Sequence, residues 1–371
     1  MNIVYVSNSS APSVLPSSLQ IAKTCESLSF FSDNKVTLII PNTKKIDADF
    51  YKFYNIKSKF NIIVLKFFKK FPIGPYYYIF AFISVLLSIK IKANLIITRN
   101  FFVIFLCNLF RLNCILELHH DTDVEGRVVQ FLVKNTNLLN SKKIRKIIAI
   151  SEAIKKHYIY NYQVTTEKII VLPSGSSIKQ KFQFRFKKIL NIGYFGSLTF
   201  SKGINLILEL SKLDRKNHYW IYGGYKDNVR NLILKNNGTN LHINTYLPYK
   251  KLVNAMSNMD ILLLPYKNIV HSAGDVGNIA EFTSPLKLFD YLACGKLIMA
   301  SDLNVFKEVI RNNKNCILVE NFNSPFSWLN QIKKIENNHI KRFIFSRNGY
   351  FLSKKFSHNN RVKFYTNNIL L

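Results

Sequence analysis

The sequence predicts an α/β protein with two domains, each built around a parallel β-sheet. Three observations support this prediction. Short apolar strands alternate with helical segments in the first half of the chain, a second alternating set begins near residue 189, and 371 residues are too many for one simple core. Because strands that alternate with helices form βαβ units, each half is expected to carry its own parallel sheet.

The first half is predicted to begin with a buried strand, which a Ser-rich loop follows at residues 7–18. The predicted strands are residues 3–6, 36–40, 95–98, 114–118, 146–150 and 169–172. The predicted helices are residues 19–30, 101–110 and 152–160. Ser151 is expected to cap the third helix, because a Ser side chain accepts hydrogen bonds from the free N–H groups at a helix start.

A linker is predicted between the halves, where residues 173–177 form a Pro-Ser-Gly-Ser-Ser tract and a basic segment follows through Lys188. The second alternating set is predicted to begin with residues 189–196. Its later strands are predicted at residues 219–222, 241–243, 261–265, 297–300 and 316–319. The final segment, residues 338–371, is predicted to be helical and is strongly basic.

The stretch 281–301 is predicted to contain a loop, a capped helix and a buried strand. Ser284 is expected at the N-cap with Pro285 at the first helical position, and Gly295 is expected to end the helix. The free N–H groups at the start of this helix would suit a phosphate, and Asp290 could accept hydrogen bonds from ribose hydroxyls. An ordinary capped amphipathic helix is the alternative for these residues taken alone.

The net charge of +31 indicates an anionic partner: nucleic acid, anionic lipid or a phosphorylated substrate. An AT-rich genome also produces a composition rich in Lys, Asn and Ile. The five cysteines form no C-x-x-C pair, so neither a zinc site nor a disulfide framework is expected, and a reducing cytoplasm fits best. The first residues do not resemble a signal peptide.

The segment 51–87 interleaves basic and aromatic side chains. This pattern suits a membrane interface or single-stranded nucleic acid, and a half-buried helix pair with a solvated basic face is the alternative. The longest apolar run, residues 76–89, has fourteen residues. Crossing a bilayer takes roughly twenty residues, so this run is not expected to span a membrane. The basic residues of the segment are Lys52, Lys57, Lys59, Lys66, Lys69 and Lys70.

Several motifs agree in order and spacing with those of the family-4 retaining glycosyltransferases, which have the GT-B fold. The resemblance covers nearly the whole chain and is strongest over residues 191–303. The motifs are residues 192–198 with 201–204, residues 222–224, residues 262–266 and, most specifically, residues 284–296. The resemblance implies two Rossmann-like domains facing each other across a cleft. It places an acceptor-binding domain at 1–180, a nucleotide-sugar-binding domain at 181–350, and a C-terminal helix at 351–371 that packs back on the first domain.

The activity implied is sugar transfer from a nucleotide-sugar donor to a glycan or lipid-linked acceptor with retention of configuration, in cell-surface polysaccharide biosynthesis. The resemblance also implies metal-independent donor binding and no cofactor. A cytoplasmic protein is expected, with peripheral binding to an anionic membrane surface as an option and no nucleic acid. The catalytic residues implied are His119 and Lys202. The donor-binding residues implied are Gly196, Ser197, Lys202, Gly223, Pro265, Glu281, Thr283, Ser284, Leu286, Lys287 and Asp290.

The chain departs from the family pattern at two places in the donor site. The family has two glutamates eight positions apart, but the position eight before Asp290 is Phe282. Either a loop shift brings the neighbouring Glu281 into this role or backbone N–H groups of Thr283 and Ser284 bind the donor sugar, and the second reading is preferred. The family's Arg before Lys202 is missing, so Lys202 is expected to carry more of the diphosphate charge together with Lys287. A solvated surface lysine is the alternative for Lys202.

Three polar residues follow strands of the first half. His119 is expected to contact the donor sugar or the acceptor, in preference to His120, while Asp121 orients a neighbour; a buried structural histidine is the alternative. Arg99 is expected to bind an acceptor phosphate, and a structural arginine is equally compatible. Metal binding by this cluster is not expected, because the residues lack a recognised ligand spacing.

Two rival functions remain open. A nucleotide-sugar epimerase can share this fold and would need no acceptor. A non-enzymatic basic protein that binds membrane or nucleic acid is the other rival. No recognised nucleic-acid module occurs in the sequence, and the acidic Asp290 would oppose a phosphate backbone.

Overall fold

The computed structural model describes residues 1–9, 11–13, 15–30, 34–41, 49–68, 72–234, 236, 238–269, 280–365 and 367. The chain divides into two compact units. The first unit comprises Met1–Ser174 with His358–Leu371, and the second comprises Gly175–Ser357. Each unit carries one β-sheet in which neighbouring strands pair in parallel, so the predicted α/β fold with two parallel sheets is confirmed.

The first unit has a seven-stranded sheet in the order β3-β2-β1-β4-β5-β6-β7. Its strands are β1 (Asn2–Val6), β2 (Lys35–Pro41), β3 (Asn61–Leu65), β4 (Leu95–Thr98), β5 (Cys114–Leu118), β6 (Ile144–Ala149) and β7 (Ile169–Val171). Its helices are α1 (Pro16–Phe30), α2 (Phe50–Phe53), α3 (Pro75–Lys90), α4 (Phe101–Leu109), α5 (Arg127–Asn135), α6 (Glu152–Tyr162) and, at the end of the chain, α14 (His358–Tyr365). The strand order reverses between β1 and β4.

Local sequence explains where two of these helices begin. Asn100 caps α4, because its side chain accepts hydrogen bonds from the N–H groups of Phe102 and Val103. Ser151 caps α6 by accepting from the N–H of Ile154, which confirms the predicted cap. In both cases one residue separates the cap from the end of the preceding strand, so each helix starts at the carboxyl edge of the sheet.

The alternative interpretation of residues 51–87, as a half-buried pair of helices, is wrong. This part of the chain contains the short helix α2, the strand β3 and the helix α3. Strand β3 pairs only with β2 at the sheet edge and is partly exposed, so its sequence lacks the fully apolar pattern of the inner strands. Lys69 and Lys70 lie outside the described residues. Within the described part of the chain, no helix is long and apolar enough to cross a membrane.

The second unit has a six-stranded sheet in the order β10-β9-β8-β11-β12-β13. Its strands are β8 (Asn191–Phe195), β9 (His218–Tyr222), β10 (Leu241–Asn244), β11 (Ile261–Leu264), β12 (Leu297–Ser301) and β13 (Ile317–Val319). Its helices are α7 (Ile204–Leu213), α8 (Lys226–Leu234), α9 (Tyr249–Ser257), α10 (Leu286–Ala293), α11 (Asn304–Lys307), α12 (Pro325–Glu336) and α13 (His339–Ser353). Strand β8 sends Ile192 into one apolar core and Phe195 into another, because successive side chains of a strand point to opposite faces.

The end of the chain is helical, as predicted, and forms α13 and α14. Helix α14 packs against α1 within the first unit. Val362 and Tyr365 are buried there in the same apolar cluster as Ile21, Cys25 and Leu28 of α1. The predicted return of the C-terminal helix to the first domain is therefore confirmed. All five cysteines of the chain are buried and free.

Candidate active site

The candidate site of the second unit lies at the carboxyl ends of β8, β9 and β11. The sheet order reverses between β8 and β11, which are neighbours but lie far apart in the chain. In open parallel sheets such a reversal leaves a crevice beyond the strand ends, and this is where ligands bind. Gly196 follows β8, Gly223 follows β9 and Pro265 follows β11.

Two glycines allow the loops of this site to come together. A Cβ on Gly223 would lie 1.7 Å from the carbonyl oxygen of Gly196. Gly203 has a φ of +77°, and a Cβ there would lie 2.0 Å from the carbonyl oxygen of Pro265. Both positions therefore require glycine, and three of the predicted donor-binding residues, Gly196, Gly223 and Pro265, meet in one place.

Lys202 lies in a 3₁₀ turn directly before Gly203 and the start of α7. Its Nζ donates a hydrogen bond of 2.8 Å to Oγ of Ser197, another predicted donor-binding residue. Burial lowers the pKa of Lys202 below its ordinary value, because the charged ammonium is held away from water. Lys202 is thus not a freely solvated surface lysine.

Lys287 lies in the first turn of α10 and reaches the same loop. Its Nζ is 3.3 Å from the hydroxyl oxygen of Tyr194, and it lies over the rings of Tyr194 and Tyr266, at 4.4 and 5.1 Å from their centroids. The pKa of Lys287 is well below its ordinary value, first because of burial and second because of repulsion by Lys202. Among the described residues, neither lysine has a carboxylate within 4.0 Å. Two half-buried cations with no carboxylate nearby among the described residues form a site that an anion would stabilise.

The start of α10 differs from the prediction. The helix begins at Leu286, and Pro285 occupies the N-cap position with φ −68° and ψ 123°. The prediction that Ser284 is the N-cap with Pro285 inside the helix is wrong, since the extended backbone favoured before a proline continues through Pro285 itself. Gly295, with a φ of +64°, ends the helix as predicted.

The residues before α10 differ in exposure. Glu281 is exposed, whereas Thr283, Ser284 and Leu286 are half-buried. Within the described residues, no salt bridge joins Glu281 to a lysine of the site. The side chain of Glu281 is therefore presented to solvent, and the backbone of residues 283–286 leads into the free N–H groups of the first turn of α10.

Asp290 lies one turn after Lys287 on α10 and is buried. Its Oδ1 accepts a hydrogen bond of 2.5 Å from Oγ of Ser176. Burial raises the pKa of Asp290 to about 7, although the hydrogen bond from Ser176 opposes this shift. The backbone N–H of Ser176 donates to the carbonyl of Phe356, so the hydroxyl is held in place. The contacts of Ser176, Tyr194 and Tyr266 in this site were not predicted from the sequence, because no local motif links these residues to a lysine or to Asp290.

The predicted residues Arg99 and His119 of the first unit meet at a buried carboxylate, Glu117. The Glu117 side chain accepts hydrogen bonds from Tyr5 at 2.6 Å, Arg99 at 3.2 Å, Arg361 at 2.8 Å and the hydroxyl of Tyr365. Burial alone would raise the pKa of Glu117, but Arg361, His119 and Arg99 together hold it well below its ordinary value.

His119 and His120 have different surroundings. Nε2 of His119 is 3.8 Å from the Glu117 carboxylate, and burial with repulsion by Arg99 lowers the pKa of His119 to about 3, so this imidazole is neutral near pH 7. His120 is near Glu125 instead. Asp121 accepts from Tyr162 and lies 3.0 Å from His157, so these two side chains are neighbours that it contacts. In the described part of the chain, no group of His, Cys, Asp and Glu could hold a metal ion.

Comparison with known families now defines the class of the second unit. Residues 176–351 match the family described as Glycosyl transferases group 1. This range begins at Ser176 and contains all the elements that carry the two lysines and Asp290. The match spans 176 of the 371 residues, slightly less than half of the chain, and it supports the predicted resemblance to glycosyltransferases.

Individual proteins show the same similarity. An uncharacterized glycosyltransferase of Methanocaldococcus jannaschii is 24% identical over 263 residues, which span 66% of this chain and 63% of the relative. Sucrose-phosphate synthase from Thermosynechococcus elongatus superposes with a TM-score of 0.75 at 13% identity, covering 98% of this chain and 96% of that one. Anabaena HepE, solved in complex with UDP-glucose, gives a TM-score of 0.70 at 13% identity, covering 98% and 97%. These structures have the GT-B fold, so the predicted fold is confirmed.

Proposed function

We propose that the protein transfers a sugar from a nucleotide-sugar donor to a glycan or lipid-linked acceptor, with retention of configuration. One observation carries the proposal: Lys202 and Lys287 are half-buried at the switch point of the second sheet, and among the described residues no carboxylate lies within 4.0 Å of either. Such an arrangement costs stability unless an anion binds, and the diphosphate of a nucleotide sugar supplies that anion. HepE, whose structure was solved with UDP-glucose and with UDP, supports this class of donor.

The two lysines would act on the leaving group. As the glycosidic bond to the sugar breaks, negative charge grows on the diphosphate, and Lys202 with Lys287 stabilises it. The diphosphate itself takes the acceptor proton, so the proposed reaction uses no metal ion and no cofactor. Ser197 accepts a hydrogen bond from Lys202, and the side chain of Lys287, at the start of α10, lies against Gly196 in the same loop.

The other donor contacts are proposed as follows. Asp290 accepts hydrogen bonds from the ribose hydroxyls when it is ionised. Backbone N–H groups of Thr283 and Ser284 bind the donor sugar, while the exposed Glu281 is the alternative for that contact. In the first unit, the neutral imidazole of His119 hydrogen-bonds a sugar or acceptor hydroxyl. We assign the acceptor to residues 1–180 and the donor to residues 181–350; of the C-terminal segment 351–371, the part from His358 onward belongs to the first unit.

The acceptor is proposed to reach the enzyme at a membrane, in cell-surface polysaccharide assembly on the cytoplasmic side. Helix α3 supports this proposal, because a stripe of exposed apolar side chains runs along it and ends near exposed Lys90 and Lys92. An apolar stripe beside basic residues suits the interface of an anionic bilayer. The stripe consists of Tyr76, Ile79, Phe82, Leu86 and Ile89.

A thermal-shift screen of nucleotide sugars tests the donor proposal. A bound donor raises the unfolding temperature by mass action, so at least one nucleotide sugar should stabilise the protein while its free sugar does not. The stabilising donor is then incubated with candidate acceptors, and the anomeric configuration of the product is read by NMR. Inversion would contradict the retaining mechanism. An isomerised nucleotide sugar formed without acceptor would replace the transferase with an epimerase.

A further inference from the structure

The buried charged groups around Glu117 in the first unit include one more positive charge than negative charge. Two guanidinium groups, those of Arg99 and Arg361, share the single carboxylate of Glu117. The neighbouring His119 is neutral near pH 7 and adds no charge. A buried centre with one carboxylate and two arginines therefore carries a net charge of about +1 in surroundings of low dielectric constant.

Glu117 has no capacity left for this surplus charge. A carboxylate offers about four lone-pair positions. Oε1 accepts from Arg361 and Tyr365, and Oε2 accepts from Tyr5 and Arg99. Each oxygen thus already accepts two hydrogen bonds, and any further donor at the centre needs another acceptor.

Three nitrogens of this centre have no hydrogen-bond partner among the described residues: Nη2 of Arg99, Nε2 of His119 and Nε of Arg361. The side chains of Arg99 and His119 are 19% and 17% exposed, whereas that of Arg361 is 2% exposed. Arg361 also donates from Nη1 to the carbonyl oxygens of Leu172 and Pro173. Arg99 and His119 are thus the side chains of this centre that reach solvent, and Arg99 is the one of them that carries charge.

We propose that Arg99 and His119 form an anion-binding subsite that takes a phosphate group. Arg99 is fixed through Nε on Glu117, so its Nη groups are preorganised for a bidentate contact, and Nε2–H of His119 adds a third donor. The subsite lies at the carboxyl ends of the adjacent strands β4 and β5. The identity of the phosphate as part of the acceptor rests on the proposed function. The subsite itself does not depend on that function.

Inorganic phosphate is the probe that tests the subsite. The full chain carrying Lys202→Ala is titrated with sodium phosphate against sodium chloride of equal ionic strength, so that binding at the lysines of the second unit is weakened. Phosphate should raise the unfolding temperature, and adding Arg99→Gln should raise the apparent dissociation constant at least tenfold. Arg127→Gln is the matched control, because Arg127 is an exposed arginine of the same unit, and it should leave the phosphate response unchanged.

Two results would overturn the proposal. One is no stabilisation by phosphate in the Lys202→Ala protein, and the other is an Arg99→Gln protein that responds like its parent. If Arg99→Gln does not fold, His119→Asn keeps the pair between Arg99 and Glu117 and should weaken phosphate binding severalfold. Phosphate should also compete with the acceptor at saturating donor in any transfer assay. If no transfer is found but phosphate binding depends on Arg99, the subsite stands and only its assignment to an acceptor falls.

Discussion

The two units of the protein bury charge in opposite ways. In the first unit, the carboxylate of Glu117 is surrounded by Arg99, Arg361 and two tyrosine hydroxyls, and its pKa is held well below the ordinary value. In the second unit, Lys202 and Lys287 are half-buried without a carboxylate within 4.0 Å among the described residues, and their pKa values are also lowered. A lowered pKa favours the charged form of an acid and opposes the charged form of a lysine.

The negative charge of Glu117 therefore stabilises the fold, whereas the positive charges of Lys202 and Lys287 do not. Removing the carboxylate of Glu117 leaves Arg99 and Arg361 without their counter-charge, so this change should mainly lower stability. Removing an uncompensated cation relieves a cost in the free protein, so that change should mainly affect the ligand. Substitutions in the two units should therefore lower different measured quantities.

The largest effect is expected for Glu117→Gln. The variant keeps the side-chain volume but leaves the two buried arginines without a counter-charge, which should lower the free energy of unfolding by about 3–5 kcal/mol. Denaturant unfolding measures this change. Glu167→Gln, at an exposed position of the same unit, is the control and should alter stability little.

The pH dependence of this loss has a defined sign. The pKa of Glu117 is lower in the folded protein than in the unfolded chain, so its stabilisation is complete above the unfolded value of about 4.3 and is lost as pH falls below it. The stability difference between the parent and Glu117→Gln should shrink below that pH. A difference that is unchanged down to pH 3 would show that the carboxylate charge is not what Arg99 and Arg361 require.

Lys202→Ala should lower turnover about a hundredfold or more, the usual scale when one electrostatic stabiliser of a transition state is lost. Because the charge on the diphosphate grows as the sugar departs, the loss should appear in turnover more than in donor binding. Lys202→Arg should recover part of the rate, since a point charge is the main requirement. Steady-state transfer kinetics measure all three proteins.

The matched control is Lys212→Ala, which removes an exposed lysine near the end of α7. It should leave both turnover and the Michaelis constants close to those of the parent. A Lys202→Ala enzyme that only raises the Michaelis constant for the donor would make Lys202 a binding residue without a role in the chemical step. The free energy of unfolding should not fall in Lys202→Ala, in contrast with Glu117→Gln.

Asp290→Asn should weaken nucleotide binding about tenfold at pH 8, because a charge-assisted hydrogen bond to ribose is replaced by a weaker neutral one. The pKa of Asp290 is about 7, so the parent protein binds the nucleotide less tightly as the carboxylate becomes protonated below that pH. The affinity ratio of parent to variant should therefore shrink between pH 8 and pH 6. Calorimetry at both pH values measures it, and equal affinities at pH 8 would remove Asp290 from the site.

Stability should change in the opposite direction. The folded-state pKa of Asp290 lies above the unfolded value, so the stabilising contribution is present at low pH and is lost as pH rises through about 7. Asp290→Asn carries no such charge, so it should be more stable than the parent at pH 8, and this advantage should shrink as pH falls from about 7 and vanish below the unfolded pKa of about 3.9. Ser176→Ala is a useful companion, because it removes the hydrogen bond to Oδ1 without removing the carboxylate.

Most strands of both sheets were predicted, because each is a short apolar run bounded by polar residues. Strand β3 was missed, since an edge strand such as Asn61–Leu65 is only partly buried and its neighbours are basic and aromatic. The Ser284 cap was misplaced because Ser-Pro is compatible with a helix start at either residue. Local sequence is thus sufficient to predict that a strand or helix is present, but not the residue at which it begins or ends.

The polar centres depend on residues that are far apart in the chain. The contact between Glu117 and Arg361 joins positions 244 residues apart, and that between Ser176 and Asp290 joins positions 114 apart. A motif identifies Asp290, but only the fold shows which hydroxyl lies against it. The lysines were predicted as site residues by position, whereas the distances from them to the carboxylates of the described residues are a property of the packed structure.

The smallest effect per residue is expected at the proposed membrane face of α3. Each basic residue near an anionic bilayer contributes about 1 kcal/mol, and salt screens that contribution. Replacing exposed Lys66, Lys90 and Lys92 by Gln should therefore release part of the protein from acidic liposomes in co-sedimentation, and Phe82→Ser should release more at high salt, where only apolar contact remains. Lys212→Ala, in the other unit, should bind as the parent does. If liposome binding does not change with salt or with any of these substitutions, the proposed membrane face of α3 is wrong. The proposed anionic ligands would then be only those of the two proposed phosphate-binding sites.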